Sequence, residues 1–386
     1  MKVALLTDGI YPFIMGGMQV HSYYLAKYLS QKKIYVDVYH YYDEDNTEYD
    51  LLRKKFHEDI DSSYVKLKLI KYPRKHSYPG HYLYERYNYS RNVYQQMISE
   101  YKYDYIYIQG FSGWYLLKHR MDKSVLNGLN FHGYEMFQRA PGVITWLKMQ
   151  MLKYAVVYNI NRADTVFSFG GHISGILKKL RVEDSKIIEI PNAIEDKWLN
   201  YFLKPVQKVK RFVFVGRYER RKGIEELTEA IHNLKSTLPF EFHFVGPIPQ
   251  DKMIKREGVI YHGLVMDQSN VKSIIKDCDV LVCPSYSEGM PNVILEAMSS
   301  GLAIIATDVG AVSKMVSAEN GWLLRENNWR ILKDAIEKAI YSDVRTLEGM
   351  KRNSIQKIKN DFLWENAIDQ LIENVKQKLK ITMSLV

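Results

Sequence analysis

Two cations follow a buried strand in the second half of the chain. Arg217 and Lys222 lie in FVFVGRYERRKGIEELTEAI, a pattern typical of a strand, a glycine-containing turn and a helix. Open α/β sheets bind ligands at the carboxyl ends of their strands, and the free N–H groups of a helix start favour an anion. The guanidinium of Arg217 can bind two phosphate oxygens, and Lys222 adds a mobile positive charge. The pattern predicts a diphosphate site, with a basic turn at a helix start as the alternative.

Two glutamates further along could bind hydroxyl groups. Glu288 precedes the predicted helix PNVILEAMSSG, and Glu296 lies inside it, eight residues later. Eight residues are a little over two helical turns, so both carboxylates can face one cleft. Carboxylates accept hydrogen bonds from paired hydroxyls, which suits sugar and ribose diols. The helix, with Pro291 near its start, leaves the N–H groups of Gly289 and Met290 free for phosphate or sugar oxygens. For Glu288 alone, a role as partner of the helix dipole is the alternative.

Strand-like and helix-like segments alternate along the chain, which predicts parallel sheets with helices on both faces. The polar segment NYFLKPVQKVKR interrupts this alternation. We therefore expect two doubly wound α/β domains, at residues 1–200 and 201–364, and a helical tail that could cross back, with 365–386 on the first domain. The predicted strands are KVALLTD, IYVDVYHYY, VKLKLIKY, YDYIYIQG, VLNGLNFHG, DTVFSFG and KIIEIPN, then RFVFVGR, FEFHFVG, VIYHG, DVLVCPS and LAIIATD.

The composition is that of a folded, soluble protein. The chain has 386 residues, 46% hydrophobic and 25% charged, which allows two domains and excludes wholesale disorder. Its apolar runs are strand-length, so we expect neither a signal peptide nor a membrane span. Cys278 and Cys283 lie five residues apart in one predicted strand. That spacing places them on opposite faces, so we expect no disulfide, no metal pair and a reducing, cytoplasmic setting.

The net charge of +10 is unevenly spread. Between Arg53 and Arg91 there are ten Lys and Arg residues against four Asp and Glu, with many tyrosines, as in YPRKHSYPGHYLYERYNYSR. Such a mixture suits an anionic membrane surface, an acidic glycan or nucleic acid. The alternative is a solvated surface whose tyrosines cover the core.

The motifs resemble those of the family-4 glycosyltransferases, a retaining group with the GT-B fold. The family has two glutamates separated by seven residues, then Ala-Met and a nearby Gly, and an upstream strand-Gly-Arg followed by Lys-Gly. These are matched at Glu288, Glu296, Ala297, Met298 and Gly301, and at Gly216, Arg217, Lys222 and Gly223. PNAI at 191–194 and NGWLL at 320–324 resemble further family segments, whereas Ala311 and Lys314 depart from its usual paired glycines and later glutamate.

The resemblance implies roles for these residues. Arg217 and Lys222 would bind the donor diphosphate, Glu288 the hydroxyls of the donor sugar, and Glu296 the nucleotide ribose. Other donor contacts would come from Gly216, Gly289, Met290, Pro291 and Asn292. In the first domain, YPFIMGGMQVH resembles a family loop that would place Gly16 and Gly17 beside the donor phosphates. NFHGYE resembles the segment whose histidine, here His132, contacts the transferred sugar.

The implied architecture is GT-B, with two Rossmann-like domains facing a central cleft. The implied reaction moves a sugar, with retention, from a nucleotide-diphosphate sugar to a hydroxyl of a saccharide or lipid-linked saccharide in cell-surface polysaccharide synthesis. UDP is the commonest nucleotide in such enzymes. We expect no metal and no further cofactor, because Arg217 and Lys222 would supply the positive charge. The alternatives are an epimerase or phosphorylase of the same fold, and an inactive glycan-binding subunit, which should have lost motif residues that this chain retains.

Family members that act on lipid-linked acceptors often dock on the inner membrane face through basic and aromatic surface of the first domain. By that resemblance, residues 53–91 would bind an anionic membrane. The protein would then be cytoplasmic and peripheral on the inner face of the cell membrane, and we do not expect nucleic acid as a partner.

Overall fold

Two parallel β-sheets organise the chain. The computed structural model describes residues 1–42, 48–73, 75–78, 80–99, 102–120, 124–140 and 142–383. The first sheet has seven strands in the order β3-β2-β1-β4-β5-β6-β7, and the second has six in the order β10-β9-β8-β11-β12-β13. The strands are β1 Lys2–Leu6, β2 Tyr35–His40, β3 Val65–Leu69, β4 Tyr105–Gln109, β5 Leu126–Asn130, β6 Thr165–Ser168, β7 Ile187–Glu189, β8 Lys210–Val215, β9 Phe240–Val245, β10 Val259–Gly263, β11 Val280–Cys283, β12 Ala303–Thr307 and β13 Gly321–Leu324.

Helices cover both faces of each sheet, so the predicted doubly wound, two-domain fold is confirmed. The helices are α1 Gly17–Gln31, α2 Tyr49–His57, α3 His81–Ile98, α4 Trp114–His119, α5 Val143–Ile160, α6 His172–Lys179, α7 Ile224–His232, α8 Gln268–Lys276, α9 Asn292–Ser299, α10 Val312–Met315, α11 Trp329–Tyr341, α12 Val344–Asp361 and α13 Trp364–Met383. Successive strand residues point to opposite faces. Accordingly, Leu5 and Val38 belong to one apolar cluster of the first domain, and Leu6 and Tyr39 to the other.

All twelve predicted strands are present, and β13 is the additional one. It is a four-residue edge strand whose segment was identified only by its resemblance to the family pattern. The close fit against β12 needs glycine at its start, because a Cβ on Gly321 would lie 2.0 Å from the carbonyl oxygen of Ile304.

The expected placement of the two cysteines on opposite faces is wrong. Cys278 follows helix α8 and precedes β11, so the two residues do not share a strand. Both are buried, unpaired and part of the same apolar cluster. Alternation of faces applies only within a continuous strand.

The chain passes between the two domains twice, and the crossings are hydrogen-bonded to each other. Ile194, after the first sheet, forms an isolated parallel bridge with Leu363. Its N–H donates to the carbonyl of Phe362 at 2.9 Å, and its carbonyl accepts from Trp364 at 3.2 Å. Helix α13 then packs on α1, with the Trp364 ring stacked on Tyr28 at a centroid distance of 5.8 Å. The tail therefore lies on the first domain.

None of the helices in the described part of the chain combines the length and the apolar character that a membrane crossing requires.

We predict that Trp364→Ala destabilises the protein, because it removes the ring that fastens α13 to α1. Trp364 is only 3% exposed, and such truncations cost about 3–5 kcal/mol. The control is Trp146→Ala on α5, where the ring is 51% exposed and the cost should stay within about 0.5 kcal/mol. Urea unfolding followed by circular dichroism measures both, and equal stabilities of the two variants would contradict the packing role.

Candidate functional site

Glu288 is a buried carboxylate held by two cations at the start of α9. Lys222 Nζ donates to its Oε1 at 2.7 Å, and the guanidinium of Arg221 lies 3.4 Å from Oε2. Ser285 Oγ also donates to Oε1, at 2.8 Å. Burial by itself raises the pKa of Glu288, but the positive charges of Lys222 and Arg221 outweigh this and lower the pKa below its ordinary value. Glu288 is therefore ionised, and its charge is balanced from within the cleft.

The turn that presents these cations depends on a glycine in the left-handed region. Arg220–Lys222 form one turn of 3-10 helix, which ends at Gly223 with φ +68°. A Cβ on Gly223 would lie 1.8 Å from the carbonyl oxygen of Pro284, so no other residue fits without displacing main chain. The close contact brings the cationic turn against the loop that holds Glu288.

Arg217 lies apart from this cluster. Its side chain is 76% exposed and pairs with Glu219 of its own loop at 2.8 Å. The cation on Glu288 that the sequence did not single out is Arg221, which also donates to the carbonyl of Ser287 at 3.1 Å. The run Arg220, Arg221, Lys222 was visible in the sequence, but which of the three faces the cleft depends on the 3-10 turn.

Main chain from the two domains meets at Gly289. A Cβ on Gly289 would lie 3.2 Å from the carbonyl of His132 and 3.2 Å from the Cα of Gly133. On its other side, the carbonyl of Gly289 accepts from Ala311 at 2.7 Å, and that of Gly310 accepts from His172 of the first domain at 2.8 Å. The loop bearing Glu288 thus lies between the His132–Gly133 segment of the first domain and the Gly310–Ala311 segment of its own domain, and the predicted sugar-contacting residue His132 lies directly against it.

The imidazole of His132 is oriented by a buried glutamine. His132 Nε2 lies 2.6 Å from Gln109 Oε1, and Gln109 Nε2 lies 3.1 Å from Nδ1 of His21. An amide oxygen only accepts, so His132 carries its proton on Nε2 and His21 presents a bare Nδ1. Burial, together with the proximity of His21, lowers the pKa of His132 well below its usual value, and burial lowers that of His21 to about 4. Both rings are neutral at pH 7.

Glu296 lies in a separate recess of the cleft. The recess is small and is lined by His21, Tyr24, Asn292, Glu296 and Trp364, among others. Burial raises the pKa of Glu296 to about 7. Both glutamates were predicted to be able to face one cleft; Glu288 is paired there with two cations, whereas Glu296 lines the small recess, and their shared role in one site stays a prediction.

The other predicted donor contacts surround these groups. Gly16 precedes the first turn of α1, and a Cβ on Gly17 would meet no atom within 4 Å, so that turn is open to a ligand. Pro291 precedes α9, and Asn292 begins it. Asn192 donates to the carbonyl of Met290 at 3.3 Å and also to the side chain of Asn292. Gly216 follows β8 directly, so it lies at the carboxyl edge of the second sheet.

Three Asp-x-Asp triplets, a pattern that can hold a metal, occur at 43–45, 59–61 and 277–279. The first lies outside the described residues. Aspartates of the other two pair with lysines: Asp59 with Lys27, Asp277 with Lys204 and Asp279 with Lys351. Within the described ranges, no three His, Cys, Asp or Glu side chains are grouped to hold a metal ion. Metal independence stays a prediction.

Comparison with known proteins identifies the class that this fold and cleft define. The family model described as Glycosyltransferase Family 4 matches residues 15–198, and the model described as Glycosyl transferases group 1 matches residues 209–342. Together the two matches span most of the chain. The chain belongs to the family-4 glycosyltransferases of GT-B architecture.

The individual relatives are more distant. The chain is 37% identical over 126 residues to the putative teichuronic acid biosynthesis glycosyltransferase TuaC of Bacillus subtilis, a match that covers 33% of this chain and 32% of that protein. It is 26% identical over 182 residues to the putative colanic acid biosynthesis glycosyltransferase WcaL of Salmonella typhimurium, covering 43% of this chain and 45% of that protein. The matches thus span less than half the length of these curated relatives.

Solved structures share the fold over the whole chain. A sucrose-phosphate synthase from Thermosynechococcus elongatus has a TM-score of 0.77 at 18% identity, covering 98% of this chain and 99% of that one. Anabaena Alr3699/HepE in complex with UDP and glucose has a TM-score of 0.67 at 16% identity, covering 98% of this chain and 100% of that one. At these identities the likeness establishes the architecture.

We predict that Gln109→Glu raises the pKa of His132 by about 1–3 pH units, because a carboxylate in place of the amide favours the imidazolium. Nitrogen-15 NMR of the histidine rings measures the titration. The same spectra of the unaltered protein should show His132 neutral at pH 7 with its proton on Nε2. A charged ring, or a proton on Nδ1, would contradict the positioning role of Gln109.

Proposed function

We propose that the protein is a retaining glycosyltransferase of cell-surface polysaccharide synthesis. It would move a sugar from a nucleotide-diphosphate sugar to a hydroxyl of a saccharide or lipid-linked saccharide. We propose a UDP-sugar as the first donor to test. The observation that supports this most directly is the pairing of Glu288 with Lys222 and Arg221 in the cleft, opposite His132. The names of the relatives, which refer to teichuronic and colanic acid, point the same way.

The buried ion pair suggests how the donor would engage. A diphosphate brought near Lys222 would compete with Glu288 for the ammonium group. Glu288 would then accept hydrogen bonds from sugar hydroxyls, which a carboxylate binds as charge-assisted hydrogen bonds. In the free protein the ammonium group of Lys222 balances the negative charge of Glu288. In the complex the same ammonium group would balance the charge that develops on the leaving diphosphate. Lys222 is therefore already in place, and the site needs little rearrangement as that charge develops.

The chemical step follows from this placement. The bond between the anomeric carbon and the diphosphate oxygen breaks, and its electron pair leaves with the diphosphate, stabilised by Lys222 and Arg221. The acceptor hydroxyl attacks from the same face and passes its proton to a diphosphate oxygen, which preserves the anomeric configuration. Arg217, exposed at the rim, would move onto the diphosphate only in the complex. No metal or other cofactor takes part in this proposal.

The remaining residues would fix the donor in place. The neutral imidazole of His132 faces the transferred sugar, with its free Nδ1 able to accept a hydroxyl proton in a hydrogen bond. Glu296 would bind the ribose diol, and the open first turn at Gly16 and Gly17 would offer N–H groups to the phosphates. An epimerase of the same fold would need no acceptor, and analysis of the products with and without an added saccharide separates the two.

We predict that one nucleoside diphosphate among UDP, GDP, ADP and CDP raises the melting temperature, and that Lys222→Met loses most of this effect. A ligand that binds only the folded state stabilises it by about 2.7 kcal/mol at a hundred times its dissociation constant. The control is Lys178→Met, which removes an exposed lysine paired with Asp184. If no nucleotide raises the melting temperature of the wild type, the proposed donor site is wrong, and a glycan-binding subunit becomes the better hypothesis.

A membrane-facing surface belongs to the same proposal, and we propose helix α5, rather than residues 53–91 alone, as its centre. Within 53–91, Tyr89 is fully buried and Arg86 pairs with Asp8 at 2.8 Å, while Arg74 and Pro79 lie outside the described residues. On α5, six large apolar side chains are each more than half exposed: Val143, Ile144, Trp146, Leu147, Met151 and Tyr154.

The charge of this helix suits an anionic lipid surface. Helix α5 contains lysines but no Asp or Glu, and the exposed tyrosines Tyr78, Tyr82 and Tyr84 lie at or near the start of α3. Met151 reaches to within 3.7 Å of where a Cβ on Gly80 would stand, so the two segments form one surface. Tryptophan and tyrosine favour the lipid interface, and the lysines would bind the headgroups. This surface would hold the enzyme peripherally on the inner face of the membrane.

We predict that the protein cosediments with phosphatidylglycerol-containing vesicles at low salt and less so at raised salt, because screening weakens the ionic contribution. Replacing Ile144, Trp146 and Leu147 together with serine should abolish binding. The control replaces Leu264 and Met266, which are equally exposed in the second domain, and should bind as the wild type does. Absence of binding at low salt would contradict the proposal outright.

A further inference from the structure

One nitrogen of the Arg221 guanidinium lies between carboxylates of the two domains. Its Nη1 is 3.4 Å from Oε1 of Glu135 and 3.4 Å from Oε2 of Glu288. Its Nη2 lies 3.5 Å from Oε2 of Glu219. Glu135 belongs to the first domain, whereas Glu219 and Glu288 belong to the second. A cation proposed to receive the diphosphate is therefore already engaged from across the cleft.

The backbone just before Glu135 has a conformation that side chains rarely adopt. His132 has φ +61° and Tyr134 has φ +49°, both in the left-handed region. Such values are uncommon for residues with a Cβ, and least expected for a bulky residue such as tyrosine. Tyr134 is 1% exposed, so packing holds this loop in place. The single turn of 3-10 helix at Glu135–Phe137 starts directly after it. The position of Glu135 is therefore set by a packed and constrained loop.

The side chain of Glu135 folds back against the contact between the domains. A Cβ on Gly133 would lie 3.2 Å from Cγ of Glu135, 3.6 Å from its Oε1 and 3.4 Å from the backbone nitrogen of Gly289. The carboxylate of Glu135 and the N–H of Gly289 therefore both adjoin Gly133. This N–H and the guanidinium of Arg221 are two of the groups expected to bind phosphate oxygens. Glu135 thus places a negative charge beside both of them.

The pair between Glu135 and Arg221 is open to a ligand. The exposed fractions of the two side chains are 46% and 26%. Burial raises the pKa of Glu135, while Arg221 and Lys222 lower it. Glu288 and Glu219 raise it further, and the net effect is a pKa above the ordinary value. The ionised form of Glu135 is therefore less stable here than in water, and a second anion beside it would disfavour that form still more.

We propose that Glu135 competes with the diphosphate for Arg221 and so limits how tightly the site holds a nucleoside diphosphate. The inference rests on the proposed function for the identity of the ligand. The nucleoside diphosphate that remains after transfer has one more ionisable oxygen than the sugar-linked diphosphate, with a pKa of about 6 as in other phosphate monoesters. Repulsion by Glu135 therefore weakens binding of this product more than binding of the donor, which favours release of the product.

The test measures binding by isothermal titration calorimetry. The probes are pyrophosphate, its symmetrical dimethyl ester, which stands in for the sugar-linked diphosphate, and the nucleoside diphosphates UDP, GDP, ADP and CDP. Glu135→Gln removes the charge and keeps the shape of the side chain. Glu326→Gln is the matched control, because Glu326 pairs with a different arginine, Arg139, across the domains at 3.5 Å and is 51% exposed. Melting temperatures without ligand show that the variants are folded.

We expect Glu135→Gln to bind pyrophosphate about three- to fivefold more tightly than the wild type, as the strength of partly exposed ion pairs implies. Glu326→Gln should bind it within about twofold of the wild type. The gain from Glu135→Gln should be smaller for the dimethyl ester, which carries fewer charges. It should also disappear in the Arg221→Gln background, because a double-mutant cycle isolates the coupling between the two residues.

Three results would overturn the inference. Unchanged affinity of Glu135→Gln would show that the carboxylate does not compete, and weaker binding would show that it orients Arg221 for the diphosphate instead. Absence of pyrophosphate binding in both the wild type and Glu135→Gln would contradict the phosphate site itself. Failure of the proposed function gives a different pattern, in which the wild type binds pyrophosphate but none of the four nucleotides. The comparison of variants with pyrophosphate still decides the role of Glu135 in that case.

Discussion

Main chain from the first domain touches main chain from the second at Gly289, with no side chain between them. A Cβ on Gly289 would lie 3.2 Å from main-chain atoms of His132 and Gly133, closer than Cβ atoms normally approach, and a Cβ on Gly310 would lie 2.2 Å from the carbonyl oxygen of Glu288. Lys222 and Arg221 reach Glu288 from the 3-10 turn that ends at Gly223, and His132 lies on the first-domain segment that meets Gly289.

The charge distribution of the cleft follows from that fixed loop. Glu288 would be costly to bury alone, and its pKa stays low only because two cations accompany it into the interior. Glu296 has no cation beside it, and its removal from solvent raises its pKa to about 7. Glu288 and Glu296 are only eight residues apart, yet Glu288 ionises more readily. The difference arises because the turn Arg220–Lys222 places two cations beside Glu288 and none beside Glu296.

The strand and helix order was legible in the sequence because each strand is a short apolar run closed by a turn residue. Lys222, Glu288 and Gly289 were also recognisable, since each belongs to a short motif whose residues lie close together in the sequence. Gln109 and Arg221 were not, for different reasons. Gln109 is the last residue of a strand and meets His132 and His21 only through the tertiary fold. Arg221, unlike Arg217, lies on the turn of 3-10 helix that ends at the left-handed Gly223, two residues further along, and this turn directs its side chain to Glu288.

The two crossings between the domains run side by side, joined at Ile194 and Leu363. Tethers placed together oppose separation of the lobes but resist rotation about their common line only weakly. A relative rotation of the two domains that keeps both crossings intact would therefore turn about a line near the bridge, and groups far from that line would travel furthest. Trp364 lies next to the bridge, and its ring also contacts His21. The ring that holds the tail on the first domain therefore lies beside the histidine that meets Gln109.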